Sequence, residues 1–194
     1  MAKAKTVHRV LVVSGGKQAY ESITDLLPPE EYAAVVHVTS AGEAKRLLLS
    51  SDFDVMVVNT PLPDEFGTDL AYDFSTGTLG ILLLCKSDIY DQVSYQLEDS
   101  GIMILPKPVS RQFLYCAVKS LTAFSAKLAK MEKTNRTLQE KMADIRLINR
   151  AKWLLIENLG MKESDAHYYI EKQAMDTRLS RREVAEHIIR TYDK

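Results

Sequence analysis

At 194 residues the chain is long enough for one or two domains with a buried core. Its 46% hydrophobic and 26% charged residues are ordinary for a globular protein, and no run approaches the roughly 20 uninterrupted apolar residues of a membrane span. The net charge of -1 conceals an imbalance: residues 1–118 carry nine Lys and Arg against fifteen Asp and Glu, whereas residues 119–194 carry sixteen against eleven. A basic half joined to an acidic half points to a polyanion as the partner of the basic part. The basic stretch Met1-Ala-Lys-Ala-Lys-Thr6 leads into a strand pattern instead of a signal-peptide core. Cys85 and Cys116 lack metal-ligand spacing, which predicts reduced thiols, a cytoplasmic setting and no metal or other cofactor.

Short apolar runs recur at Val10–Val13, Ala34–Val38, Val55–Val58, Ile81–Leu84 and Ile102–Leu105. Continuous apolar character suits strands covered on both faces, as in a parallel sheet. Helical stripes lie between them: Ala19, Ile23, Leu26 and Leu27, then Ala44, Leu47 and Leu48, then Leu70 to Phe74 and Ile89 to Leu97. Five such units within residues 1–120 predict an α/β fold, a five-stranded parallel sheet of flavodoxin-like order. Ligands in these sheets bind outside the carboxyl ends of the strands, so the strand tips carry the function.

The tips have a recognisable layout. The strand Asp54-Val-Met-Val-Val-Asn59 is followed by Thr60-Pro-Leu-Pro63 and Gly67, and Ile102-Met-Ile-Leu105 ends in Pro106-Lys107-Pro108. This resembles a response-regulator receiver domain, with a phospho-acceptor at the third tip and a Lys-Pro after the last strand. The resemblance implies an aspartate acceptor, but the position is Asn59. An amide is a far poorer nucleophile than a carboxylate and brings no charge to a divalent metal. Ser14 and Gly15 stand where receivers place an acid pair for magnesium. Cys85 replaces the Ser or Thr that would bond the phosphoryl group, Ile104 replaces the aromatic switch, and Lys107 alone remains. Asp64 or Asp88 is the substitute carboxylate the loops offer. Ser14-Gly15-Gly16-Lys17 matches no phosphate-binding fingerprint and reads as a tight turn, and Lys107, without an anion to meet, reads as structural.

From Leu121 the period changes. Leu121, Phe124, Leu128, Met131, Asn135, Leu138, Met142 and Ile145 are spaced alternately by three and four, a heptad seam with one polar core position. No Gly or Pro interrupts residues 109–159, so one long helix is expected. The seam predicts a parallel homodimer; the alternative is a helix packed on its own domain. Gly160 then stops the helix, Ser164 is expected to cap a second, and Ser180-Arg-Arg-Glu183 fits a capping box opening a third. Ala166, Tyr169, Ile170 and Ala174 phase to one inward face, and Val184, Ile188 and Ile189 to another. His167 and His187 lack metal-ligand company and read as surface residues.

This last segment resembles the ANTAR domain, an RNA-binding module of bacterial transcription antiterminators. The matching residues are Ala151-Lys152, Gly160, Ser164-x-Ala166, Gln173-Ala174-Met175, Arg178-Leu179 and Glu183-Val184-Ala185. Trp153 departs from the pattern, where the family commonly has glycine, and either reaches the surface or fills the dimer seam. The resemblance implies binding of paired RNA hairpins in a leader transcript. Lys152, Lys172, Arg178, Arg181 and Arg182 are the candidate cations and Tyr168 the candidate stacking partner. The organisation expected is a receiver-like domain over 1–120, a coiled-coil connector over 121–145 and a three-helix RNA-binding domain over 138–194. The function expected is a non-enzymatic, dimeric antiterminator with no membrane attachment. The alternative is a regulator whose C-terminal helices dock on a regulatory protein partner.

Overall fold

The computed structural model describes residues 7–32 and 34–193. The basic N-terminal stretch, and the expectation that it is no signal peptide, lie outside the described residues. The chain divides into two compact units between Lys130 and Met131.

In the first unit five strands alternate with helices: β1 (Arg9–Ser14), α1 (Lys17–Thr24), β2 (Ala34–Val38), α2 (Ala41–Ser50), β3 (Val55–Asn59), α3 (Thr68–Asp73), β4 (Gly80–Lys86), α4 (Tyr90–Gln96) and β5 (Met103–Lys107). All pairings are parallel and the order is β2-β1-β3-β4-β5, the doubly wound sheet the apolar runs predict. Alternate residues of each strand serve opposite faces. Val10, Val12, Val55, Val57, Leu82 and Leu84 join Ile23 of α1 and Leu114, Val118 and Leu121 in one core. Leu11, Val13, Met56, Val58, Ile81 and Leu83 join Ala44, Leu70 and Val93 in the other. Both faces are dry, hence the unbroken apolar runs. The α1 stripe is shorter than its pattern: the helix ends at Thr24, and Leu26 and Leu27 follow in turn backbone. Pro28 disfavours helical backbone at the residue before it.

The helix α5 runs unbroken from Arg111 to Leu159. Leu121, placed in the dimer seam by its spacing, is instead 5% exposed and part of the sheet core, beside Gly80. Its register coincides with the seam, but the first turns of α5 have a sheet face to cover. Leu128 is half-buried. Phe124, Met131, Leu138, Met142 and Ile145 are each more than half exposed, and Asn135 is exposed with them.

The second unit adds α6 (Glu163–Thr177) and α7 (Arg181–Tyr192). Ala151 and Leu155 of α5, Ala166 and Ile170 of α6, and Val184, Ala185 and Ile188 of α7 close its core. Gly160 ends α5 at φ +66, a left-handed conformation that costs glycine nothing. The Ser180–Glu183 capping box forms as expected. Ser164 does not cap α6: the N-cap is Lys162, with no side-chain cap bond, and Ser164 lies inside the first turn. Tyr169 is 36% exposed, because the small Ala166 and Ile170 already fill the helix contact.

Leu121→Ala is expected to weaken the sheet unit by about 2–5 kcal/mol, the cost of emptying a core leucine site. Leu138→Ala, at a position 53% exposed, should leave it unchanged. Hydrogen exchange of the β1 and β3 amides reads both effects.

Candidate functional site

The tips of β1, β3, β4 and β5 place the receiver-like residues together. The β1–β3 register sets Ser14 beside Asn59, and the β4–β5 register sets Lys86 beside Lys107 and Cys85 beside Pro106. Lys107 Nζ donates to Asn59 Oδ1 at 2.9 Å and to the Thr60 carbonyl at 2.5 Å. The ammonium therefore rests on two neutral oxygens and no carboxylate. Burial draws its pKa below the ordinary lysine value. Cys85 is buried and burial pushes its thiol pKa up, the state of a packing thiol and not of a nucleophile. Ile104 is half-buried on β5, packed against the second core.

Where a metal-binding acid pair would lie, the structure holds other groups. The Ser14 hydroxyl donates to the Gly16 carbonyl at 2.8 Å and lies 3.2 Å from His37 Nε2, which in turn lies 3.0 Å from the Ser14 carbonyl. Tyr20 stacks on the His37 ring with centroids 4.7 Å apart. A Cβ at Gly15 would meet Pro63 Cγ at 3.1 Å and Cδ at 3.2 Å, so a side chain at the second acid position would need the Pro63 ring to give by a few tenths of an ångström. Composition alone did not show His37 and Tyr20 here; they meet only because β2 lies beside β1.

Asp64 does not stand in for the missing acids. Its two oxygens accept from the Ala41 and Gly42 N–H groups at 2.9 Å, at the start of α2. These bonds, Gly42's foremost, hold its carboxyl below the usual aspartate range. Asp88 lies in the single 3₁₀ turn Ser87–Ile89. Among the described residues no three His, Cys, Asp or Glu side chains form a group that could hold a metal.

In the second unit the candidate cations fall into two sets. Lys152 is paired to Glu163 at 3.1 Å, Arg181 to Glu171 at 3.0 Å, and Arg182 to Asp144 at 2.8 Å and Glu186 at 3.0 Å. These pairs lie between or along the helices of the bundle and occupy charges that the spacing assigned to RNA. Lys172 and Arg178 have no ion pair among the described residues and are exposed, as is Tyr168. Arg178 ends α6 at φ +58. Sequence reasoning passed over Arg146, Asn149 and Lys162, all exposed; Asn149 and Lys162 share a cleft with Trp153. The signal for the first two was the spacing of 146, 149 and 153, one face of a helix.

Residues 136–189 match the ANTAR domain. The first unit has receiver neighbours. A signal receiver domain of an HD domain-containing protein from Pseudomonas fluorescens superposes with a TM-score of 0.59 at 20% identity, over 67% of this chain and 97% of that one. A response regulator receiver domain from Clostridium thermocellum does so at 0.56 and 20% identity, over 63% and 99%. The chain joins a receiver fold to a segment that matches the ANTAR domain. It is 26% identical over 191 residues to the transcriptional regulatory protein PdtaR of Mycobacterium tuberculosis, covering 98% of this chain and 93% of that one. It is 30% identical over 115 residues to the aliphatic amidase regulator of Pseudomonas aeruginosa, 59% of this chain and 58% of that one. The ANTAR match spans the distal part of α5 together with α6 and α7, so the cations and Tyr168 all lie within it. No helix among the described residues is long and apolar enough to cross a membrane.

The Asp64 cap gives a pH test. Its folded pKa is depressed, so its contribution is present above the unfolded value of about 3.9 and is lost as pH falls through the lower folded value. Asp64→Ala should melt below the parent near neutral pH, and the two should converge as pH drops below about 4. Thermal melts across that range read the convergence.

Proposed function

We propose that this protein is a dimeric RNA-binding antiterminator whose receiver half takes no phosphoryl group. The observation that carries the RNA reading is the ANTAR match over residues 136–189. It falls on a three-helix unit where Lys172, Arg178 and Tyr168 stand exposed. The regulators named among its relatives agree with a regulatory role. Unpaired loop bases meet such a surface through aromatic and guanidinium planes, and phosphates through the cations. The partner is the hairpin pair of a leader transcript. In this reading residues 121–145 are the connector and the cytoplasm is the site of action.

The second copy of the chain covers the exposed stripe. Met131, Leu138, Met142 and Ile145 keep the three-four spacing of a two-stranded seam and are each more than half exposed, with Asn135 to hold the register. Dimerisation lets one molecule hold both hairpins at once, which raises affinity through effective concentration. Replacing Leu138 and Met142 by Glu should give a monomer on light scattering and weaken binding to paired hairpins more than to a single one.

The receiver pocket lacks both the nucleophile and the metal-binding acids. Incubation with acetyl phosphate and magnesium should add no phosphoryl mass to the intact chain. Asn59→Asp alone should not restore labelling, since Ser14 and Gly15 would still offer magnesium no carboxylate. Stoichiometric labelling of the parent within this pocket would overturn the reading.

Binding of labelled hairpin RNA should weaken steeply with salt. Lys172→Ala and Arg178→Ala should each weaken it further. Removing a cation that neutralises one phosphate should flatten the log–log salt slope by about 0.7–0.9. Lys152→Ala breaks the Glu163 pair as well, so helical content is followed alongside its affinity. Unchanged affinity and slope in all three variants would remove these residues from the RNA surface.

A further inference from the structure

Trp153 is the chain's one tryptophan, and it is 69% exposed. An indole is the largest apolar side chain, and leaving most of it in water forfeits a burial worth more than that of any other residue. It does not stand on a bare helix. Trp153 borders a cleft of about 580 Å³ within the ANTAR unit, lined also by Asn149, Lys152, Ile156, Met161 and Lys162 with Glu163. The lining thus combines apolar side chains (Trp153, Ile156, Met161) with polar and charged ones (Asn149, Lys152, Lys162, Glu163). Asn149 carries an amide that both donates and accepts, the pairing a base edge requires. Lys162 has no ion pair among the described residues, and neither has Arg146, which shares the helix face of Asn149 and Trp153. The one carboxylate in the lining, Glu163, is taken up by Lys152 at 3.1 Å. An aromatic plane, an amide and an uncompensated cation, Lys162, around a cleft, with Arg146 further along the same helix face, form a site for a flat, polar-edged group attached to an anion.

We propose that the Trp153 cleft receives one unpaired base of the RNA. The base stacks on the indole, its edge meets the Asn149 amide, and Lys162 and Arg146 meet the flanking phosphates. The proposal rests on the RNA reading above and adds to it a second contact surface, on α5, apart from the Tyr168, Lys172 and Arg178 positions of α6. The apolar seam residues end at Ile145; Trp153 lies off the continued three-four spacing, while Asn149, Lys152 and Ile156 of the lining lie on it. Uncompensated positive charge beside the indole favours a nucleic acid over a second, equally basic copy.

The full-length protein with a synthetic RNA of two hairpins with single-stranded loops tests this, a blunt duplex of equal length serving as control. Binding is followed by anisotropy of labelled RNA, and Trp153 by its own fluorescence. The expected results are quenching by the hairpins and not by the duplex, and a loss of about five- to a hundredfold in affinity for Trp153→Ala. The salt slope should be unchanged in that variant, since stacking releases no counterion, and Trp153→Phe should retain most of the affinity. If the parent binds hairpins while Trp153 is unquenched and Trp153→Ala binds like the parent, the cleft is no base site and the RNA reading survives. Shielding of Trp153 from acrylamide in the RNA-free protein, with weaker dimerisation of Trp153→Ala, would give the cleft to the second copy and overturn the proposal. A parent that binds no hairpin RNA even at low salt would remove this proposal and the RNA reading together.

Discussion

A single uninterrupted helix supplies side chains to two separate hydrophobic cores, and each core needs a different pattern from it. Leu114, Val118 and Leu121 of α5 close one face of the sheet, and Ala151 and Leu155 close the three-helix bundle. Between them the helix presents an apolar stripe that no described residue of its own chain fully covers. Absence of Gly and Pro from residues 109–159 permits this continuity. Helix propensity over this length is ample, but burial at the two ends is what holds the helix in place.

The receiver pocket keeps the geometry of its fold while its charges are replaced by neutral groups. Lys107 sits on the Asn59 amide and a carbonyl, Ser14 bonds back to the Gly16 carbonyl, and the His37 and Tyr20 rings stack beside the first strand tip. These substitutions support one another physically. With aspartates at the tips, unpaired carboxylates would repel unless a metal joined them. With an amide and a hydroxyl, the same backbone is satisfied without any ion. The Pro63 ring lies close enough to Gly15 that a side chain there would have to displace it slightly.

On the ANTAR unit, part of the charge goes to holding helices together. Arg182 reaches Asp144 and Glu186, and Arg181 reaches Glu171. Such exposed pairs add little stability each, but they lower the field available to a polyanion. Arg146, Lys162, Lys172 and Arg178 have no acidic partner among the described residues, so their charge is not offset by a neighbouring carboxylate.

The strands, the long helix with its stop and the start of α7 were legible in the residues, since they follow from local rules. Apolar runs mark doubly covered strands, Gly160 tolerates the left-handed turn, and Ser180 with Glu183 closes a capping box. Asn59 in place of a carboxylate needed only its position on the third strand. Other features depended on neighbours far along the chain. Leu121 has the spacing of the seam, yet the sheet claims it. Ser164 is a residue type that caps helices, but the chain turns into α6 two residues earlier, at Lys162. Which arginines are free could not be read from composition, because an ion pair such as Arg182–Asp144 joins residues 38 apart. The sequence by itself determined the elements and the residue types at the strand tips, through backbone preference and side-chain type. Only the tertiary structure decided which apolar residues are core, which charges are neutralised and that Trp153 faces water, because each is a property of what lies opposite.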